Sequence, residues 1–127
     1  MLITTKYNNL VTKEAFGNRI KQFILRLIRF LDCLPNETTS RVIKDQLMRS
    51  GSSIGANYFE SKAASSKNDF VNFFFYSLKS ANESKFWLEI LIDLNKGDIK
   101  EARALLQELI EISNIFGSSI LTLKGRK

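Results

Sequence analysis

The sequence predicts an all-α protein, an antiparallel up-and-down four-helix bundle, from three observations. Apolar residues recur at helical spacing over four long segments. The breaks between these segments are short and carry proline, serine or glycine. Alternation of apolar and polar residues, the pattern of a half-buried strand, does not persist anywhere. Four long helices joined by short connections pack as a bundle in which consecutive helices run antiparallel.

The ends of the first two helices follow from the residues at each break. Residues 1–14 lack periodicity and predict a flexible N-terminal arm, which precedes a bundle over residues 15–123. Apolar spacing from Phe16 predicts the first helix, and Pro35 ends it because proline forces the preceding residue out of helical geometry. Hydroxyl groups at 38–40 offer N-cap oxygens for the second helix. Residues 124–127, KGRK, are predicted to be a basic C-terminal tail.

Two capping boxes predict the starts of the third and fourth helices. Ser66 with Asp69 begins a helix over residues 67–95, for which Gly97 is the expected C-terminal cap. Asp98 with Glu101 begins the fourth helix. The expected core positions of the third helix are Phe70, Phe74, Leu78, Ala81, Leu88 and Leu91. Those of the fourth are Ala102, Leu106, Leu109, Ser113, Phe116, Ile120 and Leu123.

The stretch RSGSSIGANYFESK, residues 49–62, is rich in poor helix formers, yet the apolar period of the second helix continues through it. We therefore interpret it as helix, in which Gly51 and Gly55 allow another helix to approach closely. Each glycine costs a helix about 1 kcal/mol, so the pair implies packing that offsets the cost. The alternative is an anion-binding loop, which mid-helix glycines do not favour because their amides are not free.

A polar stripe lies beside this small-residue face, formed by Gln46, Ser50, Ser53, Asn57 and Glu60. One interpretation is a solvated edge whose hydroxyls bond back onto the helix. The other is a polar seam satisfied across a helix–helix or subunit interface. The third helix is apolar on more than one side, which favours the second interpretation and predicts self-association.

Composition excludes most enzyme chemistry. The chain has no histidine and a single cysteine, so His-based acid–base catalysis, Cys–His nucleophiles and His-containing metal sites are excluded. No glycine-rich phosphate loop is present. We therefore expect no enzymatic activity, cofactor or metal, and we expect Cys33 to lie in the core. The lack of a signal-like segment, a membrane-length apolar run or a possible internal disulfide predicts a cytoplasmic protein without a membrane partner.

The net charge of +6 is concentrated in the first half of the chain. Residues 1–67 hold eleven Lys or Arg and five Asp or Glu, whereas residues 68–127 hold eight of each. This asymmetry predicts an anionic partner for one face, with a merely solvated basic surface as the alternative. Arginines recur at helical spacing along the first helix. The candidate nucleic-acid-binding residues are Arg19, Lys21, Arg26, Arg29, Arg41, Lys44 and Lys62.

The centre of the chain resembles a known family. The run RSGSSIGANYFESKAASSKNDFVNFF followed by SLKSANESKFWLEIL is similar to the four-helix-bundle proteins related to the 23S rRNA intervening-sequence proteins. Ser80 stands where that family usually has an acidic residue, and Tyr58-Phe59 is bulkier than usual. The positions that match the family pattern are Arg49, Ser50, Ser53, Ile54, Ala56, Asn57, Glu60, Ser66, Asp69, Phe70, Lys79, Ala81, Glu83, Trp87 and Leu88.

The resemblance implies a homo-oligomer, a pentameric ring of bundles, and a non-enzymatic accessory role. Related proteins are the accessory factors of diversity-generating retroelements, so the implied partners are further copies of the chain, RNA or DNA, and a reverse transcriptase or other protein. The alternative is a protein-interaction scaffold for an acidic partner, without nucleic-acid binding. Arg49 is expected to form a salt bridge with Glu60 or Glu83. The residues assigned to helix packing or the oligomer motif are Arg49, Ser50, Gly51, Ser53, Ile54, Gly55, Asn57, Glu60, Asp69, Phe70, Glu83 and Trp87.

Overall fold

The computed structural model describes the backbone of residues 2–4 and 10–125 and the side chains of residues 13–125. The helices are α1 (Lys13–Asp32), α2 (Thr38–Glu60), α3 (Lys67–Asp93) and α4 (Ile99–Gly125), and a 3-10 turn, Ser61–Ala63, follows α2. Each helix contacts the next along the chain, and α1 also contacts α4. The predicted all-α fold of four helices is confirmed. No helix in the described part of the chain is long and apolar enough to cross a membrane.

The two ends of the chain differ from the prediction. Strands β1 (Leu2–Thr4) and β2 (Leu10–Thr12) pair antiparallel within the predicted arm, with Ile3 opposite Val11. Strands of three residues are too short to produce a detectable alternation, which explains why the sequence pattern missed them. Helix α4 also includes the first two residues of the predicted tail. Residues 5–9 of the arm and 126–127 of the tail lie outside the described residues.

One aromatic ring from each helix meets in the core. Phe16, Tyr58, Phe74 and Phe116 are all buried, and five of the ring pairs among them have centroids 5.1–6.1 Å apart. Most of these pairs are edge-to-face, the arrangement that aromatic quadrupoles favour. The Tyr58 hydroxyl donates to the Lys13 carbonyl at 2.9 Å, so the ring is anchored at the start of α1. Burial raises the pKa of Tyr58 to about 12.

On α3 and α4 the buried residues differ from several of the predicted core positions. Phe70, Leu78, Leu106 and Leu123 are only partly buried, and Cys33 is exposed because it follows the last residue of α1. The core positions that the prediction missed are Val71, Ser77, Ser84, Leu105, Ile112, Ile115 and Ser119. Three of these are serines, whose polarity excluded them from an apolar pattern although they are buried.

The predicted starts of α3 and α4 are confirmed at one contact each. Ser66 Oγ accepts a hydrogen bond from the Asp69 amide at 3.0 Å, and Asp98 Oδ1 accepts one from the Glu101 amide at 3.1 Å. In a capping box the carboxylate of Asp69 would accept a hydrogen bond from the amide of the N-cap residue, Ser66. Here it accepts instead from the Ser65 amide at 3.0 Å. The predicted cap of α2 is wrong, since its N-cap position makes no side-chain capping bond.

The predicted glycine cap of α3 is also wrong. The residue with the left-handed backbone after α3 is Asn95, with φ of 56°. Its amide bonds to the Ile92 carbonyl at 3.0 Å and the Lys96 amide bonds to the Leu91 carbonyl at 2.9 Å, which is a Schellman motif. Gly97 lies two residues further on, with φ of 78°. A Cβ at Gly97 would lie 2.6 Å from Leu34 Cδ2. Asparagine adopts the left-handed region readily, so it can end a helix as glycine does.

Candidate functional site

The two glycines in the middle of α2 face α1 at very short distance. A Cβ at Gly51 would lie 2.4 Å from Leu27 Cδ2, and a Cβ at Gly55 would lie 2.6 Å from Ile24 Cδ1. Real Cβ atoms essentially never come this close to a neighbour, so the two glycines leave the space in which these side chains of α1 pack against α2. Of the stretch 49–62 that was predicted to be helix, residues 49–60 are α-helical and the last two lie in the 3-10 turn, and its close packing is made within the chain.

The face of α2 toward α3 carries buried hydroxyls that cross between the helices. Ser50 Oγ and Ser84 Oγ are 2.8 Å apart, and Ser84 Oγ is also 2.9 Å from the Ser80 carbonyl oxygen. Ser77 Oγ donates to the Ile54 carbonyl at 2.8 Å. Serine side chains are small enough for close helix packing, and each buried hydroxyl here has a partner.

The polar stripe on α2 combines the two interpretations given for it. Ser50 belongs to the seam across to α3. Ser53 instead donates to the Arg49 carbonyl of its own helix at 2.7 Å, and the Asn57 amide donates to the Ser53 carbonyl at 3.0 Å. These back-bonds satisfy the side chains locally, as short polar residues in helices often do. Glu60, the last residue of α2, is exposed.

Arg49 forms the predicted salt bridge with Glu83 of α3. The Arg49 guanidinium also donates to Gln46 Oε1 at 2.9 Å, and Glu83 Oε2 accepts from the Trp87 indole nitrogen at 3.1 Å. Three residues of the family pattern, Arg49, Glu83 and Trp87, therefore form one continuous cluster on the outer side of α2 and α3. The cluster fixes the indole ring at the surface, where it is half-buried.

Two of the predicted nucleic-acid-binding residues, Arg19 and Arg26, form ion pairs with α4. Arg19 Nε lies 2.7 Å from Glu108 Oε2 and its Nη2 lies 2.7 Å from Glu111 Oε1. Arg26 makes a bidentate pair with Glu101, at 2.6 and 2.9 Å. The hydrogen bonds that Arg19 donates to Glu108 raise the pKa of Arg19, and the bond that it donates to Glu111 lowers the pKa of Glu111. These arginines link α1 to α4 and are largely neutralised.

The other five predicted residues lie on α1, on α2 and in the turn after α2. Lys21 and Arg29 are exposed, and Arg41 donates to Asn36 Oδ1 at 3.0 Å. Lys44 Nζ stands 4.0 Å from Asp32 Oδ1, a loose pair, and Lys62 Nζ lies above an aromatic ring. Within residues 13–125, four of the five have no carboxylate at ion-pair distance: Lys21, Arg29, Arg41 and Lys62.

The structure adds Phe59 to this set, an aromatic residue that the sequence analysis did not single out. Its ring is 44% exposed, and Lys62 Nζ is 4.5 Å from the ring centroid. A Cβ at Gly17 would lie 3.5 Å from the ring, so Phe59 extends along α1 one turn before Lys21. Adjacent residues of a helix point about 100° apart, so only one of Tyr58 and Phe59 can enter the core. That rule could have predicted the exposed ring.

The described residues contain no group of three His, Cys, Asp or Glu side chains placed to hold a metal ion. Their chemistry at the surface is instead that of cations beside an exposed aromatic ring. Guanidinium and ammonium groups bind phosphate, and a free aromatic face stacks on a base. This combination on α1 and α2 is the candidate functional site of the molecule.

Comparison with known proteins agrees with this architecture. A family model described as 23S rRNA-intervening sequence protein matches residues 12–118. A solved structure of a protein of unknown function from the S23 ribosomal protein family of Bacteroides thetaiotaomicron VPI-5482 is 32% identical, with a TM-score of 0.78. The alignment covers 85% of this chain and 96% of that one. No curated protein matches. Because the family model spans most of the chain, this protein belongs to the 23S rRNA-intervening sequence protein family.

Proposed function

We propose that this chain is a non-enzymatic accessory protein that binds nucleic acid or a ribonucleoprotein through the α1–α2 basic surface, formed by Lys21, Arg29, Arg41, Lys44 and Lys62. The observation that supports this proposal is the division of the cations on α1 and α2. Arg19 and Arg26 are neutralised by glutamates of α4, whereas Lys21 and Arg29 are exposed without a carboxylate partner among residues 13–125. Unpaired cations retain their full attraction for phosphate.

Phosphate contacts position a nucleic acid without reading its sequence. Arg41 donates from both terminal nitrogens to Asn36 and Thr38, which holds its guanidinium at the α1–α2 turn, and the remaining N–H groups can donate to a phosphate oxygen. Phe59 beside Lys62 offers a ring on which an unpaired base stacks. The surface therefore suits single-stranded or looped RNA, in which bases are available for stacking.

The proposal includes assembly of the chain into a homo-oligomer, a pentamer as the family resemblance implies. Tyr76 and Phe86 of α3 are both about half exposed, and Glu83 and Trp87, which belong to the cluster with Arg49 of α2, lie on the same helix. Large exposed aromatic residues are enriched at protein interfaces, which supports assembly through this side of α3. A ring repeats the α1–α2 basic surface in every subunit, so several weak phosphate contacts add up to high avidity.

The experiment compares two double variants of α1 that lose the same charge. Binding of the full chain to structured RNA and to duplex DNA is followed by fluorescence anisotropy over a salt series. Lys21→Gln with Arg29→Gln removes two unpaired cations and is expected to weaken binding about tenfold and to flatten the salt dependence. Arg19→Gln with Arg26→Gln removes two paired cations and is expected to change the affinity much less.

Two results would contradict the proposal. Equal losses in the two double variants would mean that net charge alone governs binding and that the α1–α2 basic surface has no special role. Absence of binding to RNA and DNA at low salt would leave the scaffold alternative, in which the same cations face an acidic protein.

A further inference from the structure

A groove runs between α3 and α4 toward the C-terminal end of α4, away from the α1–α2 basic surface. It encloses about 500 Å³ and is lined almost wholly by apolar groups. Leu121, on its rim, is 74% exposed, the highest value among the large apolar residues of the described chain. The residues of this α3–α4 groove are Phe75, Leu78, Gly117, Ile120, Leu121 and Lys124.

Gly117 opens the groove, and no packing contact among the described residues explains it. A Cβ at this position would meet no described atom within 4 Å, whereas a Cβ at Gly51 or Gly55 would collide with side chains of α1. A glycine in the interior of a helix costs stability relative to alanine. In α2 close packing offsets that cost, but in α4 no neighbouring helix occupies the space above Gly117. The missing side chain leaves room for a group from outside the chain.

The rim of the α3–α4 groove is basic. Lys124 Nζ lies 5.2 Å from the centroid of the Phe75 ring, and an adjoining hollow that shares these two residues adds Lys67 and Asn72. Neither lysine has a carboxylate at ion-pair distance among residues 13–125. The opposite end of the α3–α4 face is different, because its hollow is bordered by Glu89 and Asp93 as well as Arg103. An apolar floor with an unneutralised basic rim is thus confined to the end of the α3–α4 face near the C-terminus of α4.

We infer that the α3–α4 groove docks an acidic amphipathic helix of a partner protein. An apolar trough between two helices accepts the i, i+3, i+4 and i+7 side chains of a third, and lysines on its rim select carboxylates on the flanks of that helix. Nucleic acid fits less well, since the floor of the groove offers almost no polar group to a base or a sugar. The end of the chain itself, Arg126 and Lys127, is basic and would be repelled by the rim.

The partner helix makes its contacts on α3 and α4 and shares no residue with the α1–α2 basic surface. The inference therefore goes beyond the proposed function, and each can fail alone. A second copy of the chain that used the groove symmetrically would bring the lysines of two rims together, which like charges disfavour. In a ring each groove would meet a different surface of the next copy, and the sedimentation measurement below tests for that contact.

The test uses three fluorescein-labelled synthetic peptides of fifteen residues and the full chain, with anisotropy as the readout. The first carries leucines at helical spacing and glutamates elsewhere. The second keeps the leucines and replaces every glutamate with lysine, and the third keeps the glutamates and replaces every leucine with serine. The first peptide is expected to bind about tenfold more tightly than either control, because only it matches both floor and rim.

Two variants assign that binding to the groove. Gly117→Leu fills it and is expected to reduce binding of the first peptide at least about tenfold, with an unchanged circular dichroism spectrum since a Cβ at this position meets no described atom within 4 Å and the groove has room for the rest of the side chain. Lys124→Glu is expected to weaken binding as well. Lys100→Glu, an equal charge change in the exposed first turn of the same helix, is the matched control and is expected to leave binding unchanged.

Three outcomes would overturn the inference. The lysine peptide could bind as tightly as the glutamate peptide, or Gly117→Leu could leave binding intact. Alternatively, Gly117→Leu could lower the mass of the assembled protein in sedimentation equilibrium, which would mean that a second copy occupies the groove.

Discussion

Helix α2 meets α1 and α3 through small residues, whereas the contact of helix α4 with α1 includes ion pairs between long side chains. On α2, Gly51 and Gly55 admit α1, and Ser50 shares a hydrogen bond with α3. On α4, Glu108 and Glu111 reach across to Arg19 of α1. Both helices carry glycine in the interior, but only the glycines of α2 lie against another helix. The same residue type therefore indicates close packing in one helix and open space in the other.

This difference separates the parts of the molecule that maintain the fold from those free to bind. Close packing leaves no room for change, because protein interiors have the density of organic crystals. Exposed ion pairs such as those between α1 and α4 contribute little to stability, so substitutions of their residues cost little. Both surfaces that we propose for binding are made from residues outside the close-packed contacts: the unpaired cations of α1 and α2, and the α3–α4 groove.

The largest expected effect is that of Gly51→Leu. The new side chain must displace Leu27, which is fully buried, so we expect a loss of about 3 kcal/mol in the free energy of unfolding. Urea unfolding followed by circular dichroism measures this loss. Gly117→Leu is the matched control, with the same chemical change in a second helix interior, and it is expected to retain wild-type stability or exceed it. Similar losses in the two variants would contradict the conclusion that glycine is needed for packing in α2 but not in α4.

A smaller effect is expected at the seam between α2 and α3. Ser84→Ala leaves the buried hydroxyl of Ser50 without its interhelical partner, at a cost of about 1.5 kcal/mol. Ser50→Ala is expected to cost less, since Ser84 keeps its bond to the Ser80 carbonyl. The double variant is expected to cost less than the two single losses together, because the shared bond is counted twice. Thermal or urea unfolding of the wild type, the two single variants and the double variant measures these losses. If the loss in the double variant equalled the sum of the two single losses, the hydroxyls would act independently.

The sequence predicted the four helices and the helical state of 49–60, because apolar period and caps are local signals. It also predicted the salt bridge of Arg49 with Glu83. It did not predict which neighbour Gly51 and Gly55 would face, since spacing within one helix does not specify the helix that packs against it. The buried serines of α3 were missed for a related reason: a hydroxyl is recognisable as buried only when its partner on another helix is known.

The candidate site was predicted less completely than the fold. The sequence identified the basic residues of the site, but it could not separate the ion-paired Arg19 and Arg26 from Lys21 and Arg29, which have no carboxylate partner among residues 13–125. Carboxylates of α4, which lie 75 to 92 positions further along the chain, make that separation. Such long-range pairs leave no trace in local charge patterns. Nor could the space above Gly117 be foreseen, because it depends on the absence of a neighbour.

A stabilising change of about 0.8 kcal/mol is expected for Gly117→Ala. Alanine loses less backbone entropy than glycine in a helix, and its Cβ would meet no atom within 4 Å. Gly51→Ala serves as the comparison, and it is expected to destabilise because Leu27 obstructs even one methyl group. The measurement is the urea midpoint at constant slope. A destabilised Gly117→Ala protein would mean that the helix backbone or an assembled neighbour needs the glycine.

The smallest expected effect, about 0.5 kcal/mol, is that of Arg19→Met, and its pH dependence makes it specific. Arg19 lowers the pKa of Glu111 below the ordinary value of about 4.3. A lowered carboxylate pKa contributes stability that is present above the unfolded pKa and is lost as pH falls through the folded one. The wild-type advantage over Arg19→Met should therefore exist at pH 7 and disappear below about pH 4.

The matched control for this prediction is Lys21→Met, which removes a positive charge from the same helix at an exposed position without a carboxylate partner. It is expected to change stability little at any pH. The pKa of Glu37, which Lys96 lowers, affects all three proteins equally and cancels in the comparison. If Lys21→Met followed the same pH course as Arg19→Met, the loss would reflect net charge. The ion pairs would then contribute nothing specific to the α1–α4 contact, and Arg19 would be as available to phosphate as Lys21.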